Sequence, residues 1–317
     1  MTNYRSIPVV ASFVGGTLIA LQSRLNGQLS STLHNGMQAA VFSLTSGLLI
    51  LCVLVLAVPS IRAGVRRIPV TLRSGQLKWW PITAGILGGC SVIAQTATVP
   101  LLGVSVFTIA LVAGQSANSL LVDRVGLGPA GKQAVTPRRV IAAVLTILAV
   151  VLAVSDRVGS ATFPIWAVTF ALVAGLSLAV QQAFNGQVSR AAQNPMAATF
   201  VNFLLGTALV ITAFVVAWTF TDIDPTAWPS GPWWMYLGGG IGVCIVGIIS
   251  WVVPTIGVLI FALASIAGQL IGALVLDAVA PTGGADIGWN LVSGITLAFV
   301  AVFIAASGRR SDRPAHS

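Results

Sequence analysis

The strongest constraint on the fold is a helix of membrane-spanning length that occurs twice in the chain. Residues 100–123 and 254–277 are identical at ten of 24 positions, at a constant offset of 154. The shared positions run from the opening proline to the closing aspartates, Asp123 and Asp277. Each segment is apolar and reaches the roughly 20 residues that a crossing needs. The chain is therefore predicted to be a duplicated membrane protein, and duplication is how many transporters build a site near the membrane midplane.

Composition also places the chain in a bilayer. Its residues are 56% hydrophobic and 7% charged, whereas soluble domains carry about 25% charged residues. A net charge of +9 can indicate a nucleic-acid partner. Here the basic residues lie in short loops between apolar stretches, where membrane proteins carry their orientation signals. We therefore expect the lipid bilayer, and not nucleic acid, as the partner of this surface.

Residues that enzymes and metal sites require are scarce. The chain has two histidines, three cysteines and no glutamate. Cys52, Cys90 and Cys244 lie inside apolar stretches without a CxxC pair, while His34 and His316 fall in a loop and in the tail. The sequence contains no nucleotide-binding P-loop. We therefore expect no metal, no cofactor, no step driven by ATP and no enzyme activity.

Ten apolar stretches are long enough to cross a membrane, and they predict an all-α integral membrane protein. Prolines mark the start of several of them, as is typical of a first helical turn. They divide into a first five-helix repeat at residues 1–155 and a second at residues 156–317. The stretches are 8–30, 37–58, 80–99, 101–123, 138–154, 163–188, 196–220, 233–253, 255–277 and 287–307.

The distribution of basic residues predicts the orientation. With ten spans, fourteen of the sixteen Lys and Arg residues fall on one side of the membrane, and only Arg24 and Arg157 fall on the other. Cytoplasmic loops carry the excess of Lys and Arg in membrane proteins. We therefore predict a multi-pass protein of the inner (plasma) membrane with both termini in the cytoplasm.

The repeat extends beyond the duplicated helix. The strings QSRLNGQLS and QQAFNGQVS correspond at an offset of 159, and paired tryptophans at 79–80 and 233–234 correspond at an offset of 154. The change in offset falls near residues 59–78, which we interpret as a loop, where an insertion costs little. Five helices per repeat is an odd number. The second repeat is therefore predicted to be inverted, with a pseudo-two-fold axis in the membrane plane.

These strings and this architecture resemble a known transporter group. Ten helices in a five-plus-five inverted repeat resemble the drug/metabolite transporter superfamily. AGQSANSLLVDRVGL, the basic stretch that follows it and the two first-helix strings are similar to its YdcZ-like branch, here in a fused two-repeat, EamA-like form. The resemblance covers nearly the whole chain and implies an exporter of a small metabolite or drug. Small multidrug members of the superfamily use a membrane-embedded glutamate, which this chain lacks.

Uncharged amides dominate the polar content of the spans and are the candidates for binding substrate. An amide both donates and accepts hydrogen bonds, so it can hold a neutral or zwitterionic solute. The alternative is hydrogen bonding between helices, which contributes about 0.6 kcal/mol per contact in a bundle. The candidates are Gln22, Asn26, Gln95, Gln115, Asn118, Gln181, Asn185 and Gln269.

Depth in the membrane singles out two of these amides. Gln115 and Gln269 each lie about 21 Å along the helix from its opening proline, and they approach from opposite sides. We therefore expect both to flank one central cavity, with Gln22 and Gln181 nearby. Packing between helices is the competing interpretation for each of them.

Asp123 and Asp277 close the duplicated helices near the membrane interface. An aspartate at a helix C-terminus opposes the helix dipole, so local helix propensity does not explain them. A salt bridge from Asp123 to Arg124 or to a neighbouring loop cation is one explanation. Gating or proton coupling of transport is the other.

Three classes of function remain to be compared. The leading hypothesis is a secondary transporter that exports a small molecule by alternating access, and the alternative is a flippase for a lipid-linked substrate. A membrane enzyme would need a catalytic constellation that the sequence lacks. A scaffold would not need paired amides at symmetric depths. The sequence leaves a homodimer open.

Reporter fusions test the predicted topology. A fusion after Arg67 or Arg139 is expected to report the cytoplasm, because both follow clusters of basic residues, and a fusion at Asp224 is expected to report the exterior. The measurement is paired phosphatase and fluorescence reporting at each site. An external signal at Arg67 would overturn the orientation.

Overall fold

The protein is a bundle of α-helices in a computed structural model that describes residues 6–128, 131–132, 135–156, 163–220, 231–256, 258–280 and 288–307. No strand occurs in these ranges. Short 3₁₀ helices at Trp80–Thr83 and Trp233–Leu237 lead into α4 and α8. The helices are α1 (Ser6–Leu33), α2 (Gly36–Ala57), α3 (Pro59–Arg73), α4 (Ala84–Val125), α5 (Pro137–Val154), α6 (Ile165–Ala192), α7 (Pro195–Phe220), α8 (Gly238–Ile256), α9 (Val258–Val279) and α10 (Trp289–Ser307).

The predicted all-α membrane fold is confirmed. Across the described ranges, eight helical segments are long and apolar enough to cross a bilayer. One of them, Trp80–Val125, has 46 residues and at about 1.5 Å per residue is more than twice as long as a bilayer core of about 30 Å. The exact number of ten crossings and the inversion of the second repeat stay predictions.

A break at Gly103 divides the long helix α4 into two halves, 84–102 and 104–125. Gly103 has φ 77° and ψ 167°, which is not helical. Only glycine adopts this region without strain. Pro100 lies just before the break and has no N–H to donate to the preceding turn. The two spans predicted at 80–99 and 101–123 are thus parts of one helical segment that is broken at Gly103.

Equivalent turns join α1 to α2 and α6 to α7. His34 and Gln193, which are 159 residues apart, both adopt left-handed conformations with φ of 51° and 52°. The next residue in each turn caps the following helix. The Asn35 side chain accepts from the Gln38 N–H at 3.0 Å, and the Asn194 side chain accepts from the Ala197 N–H at 3.1 Å. Both hairpins therefore share a turn conformation and an asparagine cap, as the duplication predicts.

Glycines bring α4 and α6 into backbone contact. A Cβ at Gly175 would overlap the carbonyl oxygen of Leu111, and a Cβ at Gly114 would overlap that of Leu172. Each helix thus presents a glycine to the other helix's backbone. Close backbone approach through small residues is a principal source of helix association in lipid.

The same reciprocal contact joins α1 and α9. A Cβ at Gly16 would overlap the carbonyl oxygen of Ser265, and a Cβ at Gly268 would overlap that of Phe13. Gly16 is equivalent to Gly175 at the offset of 159, and Gly268 to Gly114 at 154. Each first helix of a repeat therefore packs against the fourth-span segment of the other repeat.

Residues 59–73, predicted to be a loop, form a helix. The amphipathic helix α3 buries Ile61, Gly64 and Ile68 and packs where α6 meets α7. A Cβ at Gly64 would lie 2.7 Å from the Asn194 Cβ, so α3 covers the α6–α7 turn. The segment was predicted as a loop because it contains Pro69, and proline is the least favourable residue in a helix interior.

The glycine contacts predict which substitutions the fold tolerates. Gly175→Ala is expected to lower the free energy of unfolding by about 1–3 kcal/mol, because α6 must move away from the α4 backbone. Gly240→Ala is the matched control, since its nearest atom would be the Ile50 Cδ1 at 3.5 Å, an ordinary contact. Thermal unfolding of purified protein in detergent measures both. Equal stability of the two variants would show that the contact at Gly175 does not limit packing.

Candidate functional site

A central cavity lies where α1, α4, α6, α7 and α8 meet, and α2 adds one residue to its lining. Its volume is about 60 Å³, which holds a few water molecules. No charged side chain occurs among the described residues that line it. The lining consists of Ile19, Gln22, Leu44, Gly88, Ser91, Val92, Gln95, Leu111, Leu178, Gln181, Asn202, Phe203, Gly242, Ile245, Val246 and Ile249.

Gln22 and Gln181 occupy equivalent positions in the cavity, one on α1 and the other on α6. Each amide lies against a glycine of the opposing third-span helix. A Cβ at Gly242 would lie against the Gln22 Nε2, and a Cβ at Gly88 would lie against the Gln181 Nε2. The paired glycines thus make room for the paired amides. The reciprocal α1–α9 and α4–α6 contacts fix the helices that carry them.

Amide pairs connect the helices beside the cavity. Asn26 Nδ2 donates to Gln95 Oε1 at 2.8 Å, and Asn202 Nδ2 donates to Asn185 Oδ1 at 2.9 Å. These pairs place Gln95 and Asn202 at the cavity surface, with Asn26 and Asn185 behind them. The predicted candidates Asn26 and Asn185 are therefore supporting residues in this conformation.

Asn202 lines the cavity but was not among the predicted site residues. Its equivalent at the offset of 159 is Ser43, so the comparison of repeats gave no paired amide there. The usable signal was the presence of an amide in the otherwise apolar α7. An amide in such a helix needs a polar neighbour or a ligand.

Three other candidates lie at helix contacts. Gln115 Nε2 donates to Gln182 Oε1 at 3.3 Å, and Asn118 Nδ2 donates to the Leu176 carbonyl oxygen at 2.7 Å. Gln269 Nε2 donates to the Ser265 hydroxyl at 3.3 Å.

The structure separates Gln115 and Gln269 from the central cavity. Both are fully buried and follow the glycines that contact α6 and α1, so they face those helix contacts. Gln115 borders a smaller cavity of about 30 Å³ that Arg139 and Thr146 also line. Depth along the helix, which motivated the expected shared cavity, does not specify the face on which a side chain lies.

Asp123, near the end of α4, forms a buried ion pair with Arg139. Arg139 lies in the first turn of α5, after the loop that follows α4. The Asp123 Oδ2 lies 2.5 Å from the Arg139 Nη2, and both side chains are about 7% exposed. The salt bridge predicted for Asp123 is present, with Arg139 in place of Arg124. The pair ties the end of α4 to the beginning of α5.

Asp277 caps a helix from the other half of the chain. Its carboxylate accepts from the N–H groups of Val104 at 3.3 Å and Ser105 at 2.7 Å. These are the first N–H groups of α4 after the break at Gly103, so they have no partner within the helix. A carboxylate at a helix N-terminus also interacts favourably with the helix dipole. Asp277 is unfavourable for the dipole of its own helix, α9, but it stabilises the N-terminal end of the second half of α4.

Arg24 lies buried beside this cap. Its side chain is 6% exposed and interacts electrostatically with Asp277. With the Gln28 amide oriented to accept, the Gln28 oxygen lies 3.1 Å from Nη2 and 3.2 Å from Nε of Arg24. The aspartate therefore has a cationic neighbour on α1 as well as the backbone of α4.

The described part of the chain contains no group of His, Cys and Asp side chains that could hold a metal ion. The three cysteines are unpaired. The polar groups that line the central cavity are amides and one hydroxyl, and the two buried aspartates lie outside that lining.

Comparison with known proteins gives a family for both halves. Residues 7–152 and 166–304 each match the sequence model of a family described as "Putative inner membrane exporter, YdcZ". No curated protein matches. A protein of known crystal structure is 19% identical, with a TM-score of 0.56, and the match covers 97% of this chain and 98% of the other. That likeness indicates a shared fold.

The cap that Asp277 forms on α4 predicts the relative stabilities of two Asp277 variants. Asp277→Ala removes the acceptors for Val104 and Ser105 and leaves Arg24 without its carboxylate, so the free energy of unfolding is expected to fall by about 3 kcal/mol. Asp277→Asn keeps one acceptor oxygen and is expected to lose less. Thermal unfolding in detergent measures both, with the exposed Asp156→Ala as control. An Asp277→Ala protein as stable as the control variant would contradict the assigned cap.

Proposed function

The chain belongs to the YdcZ family of inner-membrane exporters within the drug/metabolite transporter superfamily, and from this premise we propose that it is a secondary transporter that works by alternating access. The cargo is a small uncharged or zwitterionic metabolite or drug. Substrate binds in the central cavity between the two repeats. A flippase for a lipid-linked substrate is not proposed, because none of the described features favours it over a transporter of a small solute.

The amide-lined cavity is the observation that carries this proposal. Gln22 and Gln181 face it from equivalent helices, and Gln95 and Asn202 complete the polar lining. Amides satisfy donors and acceptors of a solute without a fixed charge. A site at the junction of two repeats is the arrangement that secondary transporters use for rocking motions around a fixed centre.

An open recess at one end of the bundle supports a two-sided pathway. It has a volume of about 910 Å³ and is lined by the α1–α2 turn and by α4 around Thr96 and Pro100. The nearest lining residues, Ser30 and Thr96, follow Asn26 and Gln95 by four residues and by one residue on the same helices. The Asn26–Gln95 hydrogen bond therefore lies between cavity and recess. In the proposed cycle this layer opens and closes on the external side.

The equivalent turn at the other end is covered. Asn194 and Ala197 of the α6–α7 turn lie against Gly64 of α3, and Arg67 Nη1 donates to Gln193 Oε1 at 2.6 Å. The proposed cycle requires α3 to leave this turn when the cytoplasmic side opens. The difference between the two ends supports a closed state that opens first toward the recess.

The proposal includes a coupling role for Asp123 and Asp277. Each carboxylate joins two helices, Asp123 through Arg139 and Asp277 through the first N–H groups after Gly103. Loss of either contact on protonation would free a helix end. In the inverted ten-span arrangement the two aspartates lie toward opposite faces of the membrane, so they are placed to act in alternate halves of a transport cycle.

Transport assays test the function. The cargo is identified as a solute whose intracellular concentration rises in cells lacking the protein and falls in cells that overexpress it. Transport of this solute is then measured in proteoliposomes with and without a pH gradient. Gln22→Leu and Gln181→Leu are expected to reduce transport at least tenfold with nearly normal stability, because each removes polar lining from the cavity. Gln76→Leu, an exposed amide, is the control. Full transport by both cavity variants would contradict the proposed site.

A further inference from the structure

The two repeats contribute the same positions to the cavity but not the same chemistry. The first half of α4 and helix α8 line it at four equivalent pairs, all at the offset of 154. Two pairs are unchanged, one of glycines and one of valines. The other two differ, with Ser91 opposite Ile245 and Gln95 opposite Ile249. One wall of the cavity is therefore polar where its equivalent is apolar.

Helix α7 increases this difference in polarity between the two walls. Asn202 lies on the α4 side, where its Oδ1 would be 3.2 Å from a Cβ at Gly88. Phe203 lies on the α8 side, where its Cζ would be 3.1 Å from a Cβ at Gly242. The α4 wall thus gains an amide and the α8 wall gains an aromatic ring.

The amide NH₂ groups of the lining that have no described acceptor belong to the α4 wall. Gln22, beside α8, donates its Nε2 to the Gly238 carbonyl oxygen at 3.0 Å. Gln181, beside α4, makes no hydrogen bond with any described residue, and Gln95 accepts from Asn26 while its own NH₂ has no described acceptor. Both side chains are 5% exposed. A buried amide without a partner costs about 1–3 kcal/mol, so these groups require water or a ligand.

We propose that the cavity selects an uncharged amphipathic solute, with a hydrogen-bonding edge against the α4 wall and an apolar edge against the α8 wall. The inference rests on the proposed function, in which this cavity holds the cargo. Gln95 and Ile249 determine the orientation, because they occupy equivalent positions with opposite polarity. A solute with a net charge would meet no charged side chain among the described lining residues and would lose its hydration there.

Isosteric probes separate these properties. Benzamide has an amide edge and an apolar ring, benzoate and benzamidinium have the same shape with a net charge, and acetamide lacks the ring. Equilibrium binding of each probe to the purified full-length protein is measured by ligand-detected NMR. Benzamide is expected to bind at least tenfold more tightly than the other three.

Exchange of the two walls tests the orientation. Gln181→Leu removes an amide that has no described protein partner, and it is expected to weaken benzamide binding about tenfold. Gln95→Ile is expected to do the same but also removes the partner of Asn26. Combining Gln95→Ile with Ile249→Gln moves the amide to the α8 wall and is expected to restore part of the affinity. Gln76→Leu, outside the cavity, is expected to bind as wild type.

The outcomes distinguish the inference from the function on which it rests. Equal or tighter binding of benzoate, benzamidinium or acetamide by wild type overturns the amphipathic selection and leaves the transport site standing. Benzamide binding that Gln181→Leu and Gln95→Ile leave unchanged overturns the α4 wall as the polar contact. Binding of no probe by folded wild-type protein overturns the cavity as the cargo site, and the selection with it.

Discussion

Backbone contact between helices of different repeats is the constraint on which the rest of this structure depends. In lipid, burial of apolar side chains gives helices little reason to associate, so close packing has to supply it. Gly16 with Gly268, and Gly114 with Gly175, remove the side chains that would hold the helices apart. These contacts set α1 and α6 in place, and the amides they carry then face each other across a shared space.

The second requirement of the bilayer is that backbone N–H groups have partners. The break at Gly103 leaves such groups at the start of a new helical half, and the Asp277 carboxylate accepts from two of them. Hydrogen bonds to a residue far along the chain thus replace the hydrogen bonds within the helix that these N–H groups lack. They join the two halves of the protein next to Gly103, where the long helix is broken.

Periodic and repeated features of the sequence predicted the helical membrane fold, the helix positions and three cavity residues, Gln22, Gln95 and Gln181. Helix α3 was not predicted, because its 15 residues include Pro69 and four arginines and are too short and too polar for a membrane span. Gln115 and Gln269 were expected in the cavity from their depth alone, and depth does not specify the face of a helix. The role of Asp277 depends on Val104, which is 173 residues away, and no local pattern reports such a contact.

In the proposed transport cycle, one cavity between the repeats opens alternately to the two sides of the membrane. The most direct test places a single cysteine at Ser91, on the cavity wall, in a protein whose Cys52, Cys90 and Cys244 are replaced by serine. Membrane-impermeant maleimide is applied to right-side-out and inside-out vesicles. Labelling from both sides, slowed by the transported solute, is the predicted result. Labelling from one side only, or from neither, would contradict the account.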